Sequence, residues 1–157
     1  MKFIVDSMHG KLAKKMRIYG YDTLYNAYSE DNTVLELAEK EDRIIITSDT
    51  ALFERALSRR IPSIKAPLDD DVTRMAEIFK ILKLKPELNS KKSRCSLCNT
   101  PLVEICKSQI TSIPENVLRR KKIFYQCPKC GKIYWKGSHW KEMREFESML
   151  KKKIKHS

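Results

Sequence analysis

The sequence predicts an α/β fold in which helices flank a parallel sheet, followed by a smaller module and a terminal helix. Strand and helix patterns alternate four times along residues 1–82. This order is typical of parallel strands connected by helices that cover both faces of a sheet. Two Cys-x-x-Cys pairs follow in residues 94–137, and a basic amphipathic segment ends the chain. The 157 residues suffice for one domain and one small appended module.

The four predicted strands are short apolar runs. The third contains Ile44, Ile45 and Ile46, a β-branched run that favours a central parallel strand. The fourth contains Pro62, which cannot donate a hydrogen bond to a neighbouring strand and therefore favours an edge. The predicted strands cover residues 2–5, 21–25, 43–47 and 61–64.

The intervening helices are predicted from apolar residues at helical spacing. Gly20 ends the first helix, whose Arg17 lies largely outside the apolar face formed by Leu12, Met16 and Tyr19. Asn32 can cap the second helix, and Ser48 or Asp49 can cap the third. The predicted helices cover residues 8–19, 33–41, about 49–57 and 69–82.

Two cysteine pairs predict a metal site, formed by Cys95 with Cys98 and by Cys127 with Cys130. Two thiolates three positions apart in a tight turn can take adjacent corners of a zinc tetrahedron, and four close the coordination sphere. The predicted zinc is therefore structural and not catalytic.

This site defines the predicted domain organisation. A sheet domain over residues 1–82 and a polar linker over 83–93 precede a zinc ribbon over 94–137. A basic amphipathic helix and tail, with Ser138 as N-cap, complete residues 138–157. Because metal binding supplies folding energy to so small a module, loss of zinc should unfold the ribbon and leave the sheet intact. Cys106 is expected to be a small buried apolar residue.

The positive charge lies entirely in the second part of the chain. Residues 1–88 carry 15 Lys and Arg against 15 Asp and Glu, whereas residues 89–157 carry 17 against 5. This asymmetry favours a nucleic-acid partner, although a Lys-rich surface is also common in heat-adapted proteins. The densest basic run and nearby stacking aromatics are the predicted contacts: Arg119, Arg120, Lys121, Lys122, Tyr125, Tyr134 and Trp135.

Acidic residues follow the predicted strands. Asp6 ends the first strand and Asp49 follows the third, so both should lie at the edge where parallel strands carry their ligand sites. Converging carboxylates can hold magnesium, which orients a water and neutralises charge on a phosphodiester. Each acid alone could equally be a helix cap. The other candidates are Asp31, Glu36, Asp69, Asp70 and Asp71.

Several motifs occur in an order that resembles a known family. They are Phe-Ile-Val-Asp at 3–6, Gly-Tyr-Asp-Thr at 20–23, Arg-Ile-Ile-Ile-Thr-Ser-Asp at 43–49, the two cysteine pairs, and Tyr-Trp-Lys-Gly-Ser-His at 134–139. Across residues 2–143 they resemble the Mut-seven C-terminal family of PIN-like ribonucleases. The resemblance implies a PIN-like fold, a zinc ribbon, and RNA cleavage assisted by magnesium or manganese.

The resemblance also implies roles for particular acids. Asp6 and Asp49 match the acids that follow the first and third strands, and Asp31 is favoured over Glu36 as the third. Asp69, Asp70 or Asp71 could supply a fourth. Ser48 stands where family members often carry a basic residue, so no phosphate contact is implied at that position.

The sequence is compatible with two other functions. A non-catalytic RNA- or ribosome-binding module could retain the PIN fold, because fold does not settle activity. A zinc-ribbon DNA-binding regulator leaves the acidic edge unexplained. The architecture is also similar to a ribosome-maturation endonuclease, which makes ribosomal RNA, transfer RNA or the ribosome the expected partners.

The segments that would direct the chain to a membrane are not evident. No apolar run approaches the ~18 residues of a membrane span, and residues 1–6 lack a signal-peptide pattern. We expect a cytoplasmic protein without a membrane partner.

Overall fold

The computed structural model describes residues 1–156. Four strands alternate with four helices in the first part: β1 (Lys2–Val5), α1 (Gly10–Ile18), β2 (Asp22–Tyr25), α2 (Asp31–Glu41), β3 (Ile44–Thr47), α3 (Thr50–Ser58), β4 (Ser63–Lys65) and α4 (Asp71–Ile81). The second part contains β5 (Val103–Ile105), a 3-10 helix (Lys107–Gln109), α5 (Glu115–Arg120), β6 (Phe124–Gln126), β7 (Ile133–Tyr134) and α6 (Ser138–Lys155).

The first four strands form a parallel sheet in the order β2-β1-β3-β4. The β-branched strand β3 is central and β4 lies at an edge, as their residues predicted. Val5 pairs with Tyr25 on one side and Ile46 on the other. The segments after β1, β2 and β3 therefore leave the same carboxyl edge of the sheet. The predicted α/β class is confirmed.

Alternate side chains of the strands enter two cores. Phe3, Val5 and Ile46 pack with residues of α1, α4 and α6 on one face. Ile4 and Ile45 pack with residues of α2 and α3 on the other. Each fully buried side chain of this size stabilises the fold by about 1.5–3 kcal/mol, so both faces hold the carboxyl edge in place.

The terminal helix α6 belongs to the first of these cores. Its Met143, Phe146 and Leu150 are buried together with Phe79 of α4. The basic side chains occupy the exposed face. The chain therefore returns from the ribbon to the sheet domain.

Residues 83–93, predicted as a linker, are attached to the sheet domain. Leu88 is buried, and its N–H donates to Glu147 Oε1 at 3.1 Å. Ser93 Oγ donates to the Ile18 carbonyl at 2.6 Å. At Gly20, with φ +95°, a Cβ would lie 2.8 Å from the Lys92 carbonyl oxygen, so this close approach requires glycine.

The ribbon strands form a three-stranded antiparallel sheet in the order β5-β6-β7. The long segment between the cysteine pairs holds β5, the 3-10 helix, α5 and β6. Cys106 is the N-cap of the 3-10 helix and is exposed, so the expectation of a buried residue is wrong.

Two of the predicted helix N-caps, Asn32 and Ser138, are wrong. Asp49 caps α3 through Leu52 N–H at 2.8 Å, as predicted. Asn32 lies inside α2, where its side-chain oxygen accepts from Arg55. Ser138 is likewise the first residue of α6, and Gly137 occupies the N-cap. Both polar residues lie one or two positions inside the helix, where side-chain capping geometry is lost.

Candidate functional site

The carboxyl edge of the parallel sheet centres on Asp6. Its side chain is 5% exposed, and each carboxylate oxygen accepts one hydrogen bond. Oδ1 accepts from the Met8 N–H at 2.9 Å, and Oδ2 accepts from the Thr47 hydroxyl. Each carboxylate oxygen has further acceptor capacity, so the group is oriented without being saturated.

Thr47 joins Asp6 to Asp49. Its Oγ1 donates to Asp6 and accepts the Asp49 N–H at 3.0 Å. This arrangement follows from the sheet register, which places the end of β1 beside the end of β3. Asp49 is exposed, with Oδ1 on the Leu52 N–H. Two of the predicted acids are therefore neighbours at one edge.

Asp31 is the first residue of α2, the helix that follows β2. It is exposed and lies 3.5 Å from Arg55 of α3. Glu36 lies five residues further along α2, roughly 7–8 Å along the helix axis. Asp31 is thus the acid of this helix nearer the edge.

The three predicted acids do not form a compact ligand cluster. Among residues 1–156, the group of potential metal ligands with all donor atoms within 4.8 Å of one another is the cysteine group alone. Magnesium retains several waters when proteins bind it, so carboxylates at larger separations can still hold it.

The acids before α4 have structural partners. Asp70 caps the helix through Thr73 N–H at 2.7 Å, and Asp69 accepts from the Asp70 N–H at 2.7 Å. Asp71 is paired with Lys15 at 2.7 Å and Arg74 at 2.8 Å. None of these three acids therefore places an unpaired, buried carboxylate at the edge.

A buried histidine beside Asp6 was not predicted from the sequence. Ser48 Oγ donates to the Ala66 carbonyl at 2.9 Å and accepts from His9 Nε2 at 2.7 Å. Burial lowers the pKa of His9 below its ordinary value, although the Asp6 carboxylate acts in the opposite direction. The ring is therefore neutral at neutral pH. In the sequence, only the position of His9 shortly after β1 could have indicated that it lies near Asp6.

The predicted zinc ligands converge. Sγ atoms of Cys95, Cys98, Cys127 and Cys130 all lie within 4.8 Å of one another. Cys95 and Cys130 are 3.7 Å apart and Cys98 and Cys127 are 3.2 Å apart. Zinc–sulfur bonds of about 2.3 Å in a tetrahedron place thiolates roughly 3.8 Å apart, so the cluster could bind a metal such as zinc.

The two cysteine turns share one backbone pattern. Asn99 N–H donates to the Cys95 carbonyl and Gly131 N–H to the Cys127 carbonyl, both at 2.9 Å. Asn99 and Gly131 have φ of 65° and 78°, a conformation that glycine and asparagine tolerate best. The residues after the second cysteines therefore close the turns.

Tyr134 supports the cluster from β7. Its hydroxyl lies 3.1 Å from Cys95 Sγ and accepts the Ser96 N–H at 3.1 Å. Burial alone would raise the pKa of the Cys95 thiol, but donors led by this hydroxyl lower it to about 6. The Lys132 N–H alone would lower the pKa of Cys130, but burial and the other thiols together raise it to about 11. A divalent cation relieves this repulsion among thiolates.

The first cysteine turn is attached to the sheet domain by Arg17. Its buried guanidinium donates to the Thr23 carbonyl at 2.9 Å and the Ser96 carbonyl at 2.9 Å. Asn99 Oδ1 also accepts the Thr23 N–H at 3.0 Å, and its amide donates to Asp22. Arg17 is therefore buried at the interface between α1 and the first cysteine turn.

The predicted basic run is exposed apart from the half-buried Lys121. Arg119 pairs with Glu115 at 2.7 Å, whereas Arg120, Lys121 and Lys122 line a shallow pocket of about 200 Å³ with Lys136.

The predicted stacking aromatics differ in exposure. Trp135 is half-buried against Phe124, with ring centroids 6.2 Å apart. Tyr125 is 6% exposed, so its prediction as a stacking surface is wrong. The Tyr134 hydroxyl serves the cysteine cluster.

The fold and site are those of an α/β protein with a polar carboxyl edge and a four-cysteine cluster that could bind a metal such as zinc. A family model described as the Mut7-C RNAse domain matches residues 1–147. The chain belongs to this family, as the sequence motifs predicted, and the family description gives an RNase-type function with RNA as substrate. No curated protein and no solved structure matches the chain. None of the helices within residues 1–156 has the length and apolar character needed to span a bilayer.

Proposed function

We propose that the chain is a metal-dependent endoribonuclease that hydrolyses RNA phosphodiester bonds internally. Asp6, Asp31 and Asp49 would hold magnesium or manganese. The observation that carries the proposal is the Asp6–Thr47–Asp49 connection at the carboxyl edge, in a chain that belongs to an RNase family. Ribosomal or transfer RNA in the cytoplasm is the proposed substrate.

The donor chemistry of this edge fits a hard cation. Carboxylate oxygens are the ligands that magnesium prefers, and the Asp6 and Asp49 carboxylates lie on neighbouring strand ends. A bound ion would orient a water and neutralise charge on the phosphodiester. The Met8 N–H and Thr47 hydroxyl fix the Asp6 carboxylate, so its oxygens need no rearrangement on binding.

The second part of the proposal assigns RNA binding to the basic ribbon. Arg120, Lys121 and Lys122 converge with Lys136 around one shallow pocket, and Trp135 offers a half-exposed ring on the same module. Arg119 contributes less free charge because of Glu115. Phosphate contacts of this kind grip RNA without reading sequence.

The test replaces Asp6 or Asp49 by Asn, which keeps shape and removes charge. We expect cleavage of mixed cellular RNA with magnesium or manganese to fall at least about 100-fold, the scale for losing an active-site charge-stabilising group. RNA binding should persist, because the ribbon provides it. Asp42→Asn is the matched control, since Asp42 is exposed at the end of α2 with φ 55°, which Asn tolerates.

If Asp49 served only as the cap of α3, Asn at this position would preserve activity, because Asn caps nearly as well as Asp. Cleavage at the wild-type rate by both Asn variants would therefore reject the catalytic assignment. The second candidate is a non-catalytic RNA- or ribosome-binding module. The wide spacing of the acids at the edge favours it. Absence of cleavage by the wild type with either metal, together with retained RNA binding, would establish this alternative.

A further inference from the structure

An open pocket of about 550 Å³ lies between the starts of α1 and α4, beside the carboxyl edge. Its walls include Met8, His9, Lys11, Lys14, Leu68 and Arg74. Its volume falls within the roughly 300–1,000 Å³ typical of small-ligand sites. No part of the metal proposal uses this pocket.

Two lysines give the pocket free positive charge. Lys11 and Lys14 are exposed on α1, and neither side chain makes a hydrogen bond or ion pair with any residue in 1–156. Lys15 and Arg74 are instead paired with Asp71. The acid of the pocket is thus neutralised by other cations, and the charge of Lys11 and Lys14 remains available to an anion.

Two apolar side chains stand on the rim. Met8 is 64% exposed and Leu68 is 79% exposed. They lie on the segments that follow β1 and β4. Both therefore offer apolar surface at the mouth of a cationic pocket.

The pocket is continuous with the acidic edge. The Met8 N–H holds the Asp6 carboxylate, and His9 in the pocket wall bonds Ser48, the residue before Asp49. A second pocket of about 560 Å³, lined by Ser48 and Lys65, shares Leu68 with the first. Leu68 therefore borders both pockets.

We propose that this pocket binds one unstacked nucleotide of single-stranded RNA next to the cleaved bond. Lys11 and Lys14 contact its phosphates, and Met8 and Leu68 contact its base. Charge complementarity selects a polyanion, and the apolar rim selects one whose bases are not paired within a helix. The inference rests on the proposed function for the position of the cleaved bond.

The experiment measures binding of fluorescein-labelled single-stranded RNA to the Asp6→Asn protein as salt is varied. Each phosphate contact with a single strand contributes about 0.7 to the slope of log affinity against log salt. The added pair Lys11→Gln and Lys14→Gln should therefore lower the slope by about 1.4. Lys2→Gln with Lys40→Gln is the matched control, since both lysines are exposed outside the pocket. An unchanged slope in the Lys11 and Lys14 variant would overturn the phosphate contacts.

Met8→Ser with Leu68→Ser tests the base contact. These changes should weaken binding of an oligonucleotide with bases at least threefold and leave an abasic oligonucleotide unaffected. Equal binding of the normal oligonucleotide by parent and variant would overturn it. Binding can be measured without cleavage. If the wild-type protein did not cut RNA, the proposed function would be rejected, and these binding measurements would still test the pocket.

Discussion

At the scale of single residues, Tyr134 is the support of the cysteine cluster whose effect is easiest to isolate. Its hydroxyl contacts both Cys95 Sγ and the Ser96 N–H. Groups that orient metal ligands typically change metal affinity 10–100-fold. We therefore predict that Tyr134→Phe lowers zinc affinity about tenfold, measured by competition with a chromophoric chelator.

The matched control for this change is Tyr125→Phe, which removes a hydroxyl bound to Ser90 away from the cysteines. Its zinc affinity should equal that of the wild type. Equal affinity in the Tyr134 variant as well would show that the hydroxyl does not support the site.

The sequence predicted the clustered cysteines better than the residues that hold them in place. The Cys-x-x-Cys spacing is local, so the four cysteines could be identified without a structure. Arg17 and Ser96 are 79 positions apart, and His9 and Ser48 are 39 apart. Such pairings depend on how the chain folds back, and no local pattern encodes them.

At the scale of elements, α6 and the segment before the ribbon are joined by a buried acid. Glu147 is 5% exposed. Burial alone would raise the pKa of its carboxyl, but bonds from Lys151, the Leu88 N–H and Arg144 outweigh it and hold the pKa below the ordinary value of 4.5. A lowered carboxyl pKa contributes stability above about pH 4.5 that is lost as the pH falls through the folded-state pKa.

We predict that Glu147→Gln removes about 1–2 kcal/mol of stability at pH 7, because bonds to a charged acceptor become bonds to a neutral one. The difference from the wild type should shrink below pH 4.5. Urea unfolding at several pH values measures it. Glu145→Gln, at an exposed position of α6, should change little, and an equal effect of the two variants would contradict the role of the Glu147 bonds.

Strand identity was easier to predict than helix starts. A continuous β-branched run at 44–46 and Pro62 placed β3 and β4 correctly in the sheet. Asn32 and Ser138 failed as caps because a cap depends on the backbone angle of a single residue, whereas a strand is defined by several residues together.

At the scale of the whole molecule, the chain crosses twice between its two parts. The first cysteine turn is bonded to α1 and β2 through Arg17 and Asn99. After the ribbon, α6 returns to the core of the sheet domain. The expectation that the sheet would be unaffected by metal loss followed from sequence order alone, and neither connection is visible in that order.

We therefore predict that loss of zinc destabilises the sheet domain as well as the ribbon. Cys127→Ser removes one of the four ligands, and freeing the cysteine turn leaves the buried Arg17 guanidinium without the Ser96 carbonyl. Unpairing a buried charged donor costs at least about 1–3 kcal/mol. Hydrogen exchange should show reduced protection in β2 and the end of α1, together with the ribbon.

Cys106→Ser is the control, because Cys106 is exposed and outside the cluster. It should retain one zinc per chain and wild-type exchange throughout. In Cys127→Ser, a change confined to residues 94–137 would show that the ribbon folds independently of the sheet. Elemental analysis that finds no zinc in wild-type protein purified without chelator would remove the basis of the prediction. Faster exchange in β2 on chelation of the wild type, reversed when zinc is restored, would link metal binding directly to the edge of the sheet. The link would be Thr23, whose N–H bonds Asn99 of the first cysteine turn and whose carbonyl accepts from Arg17.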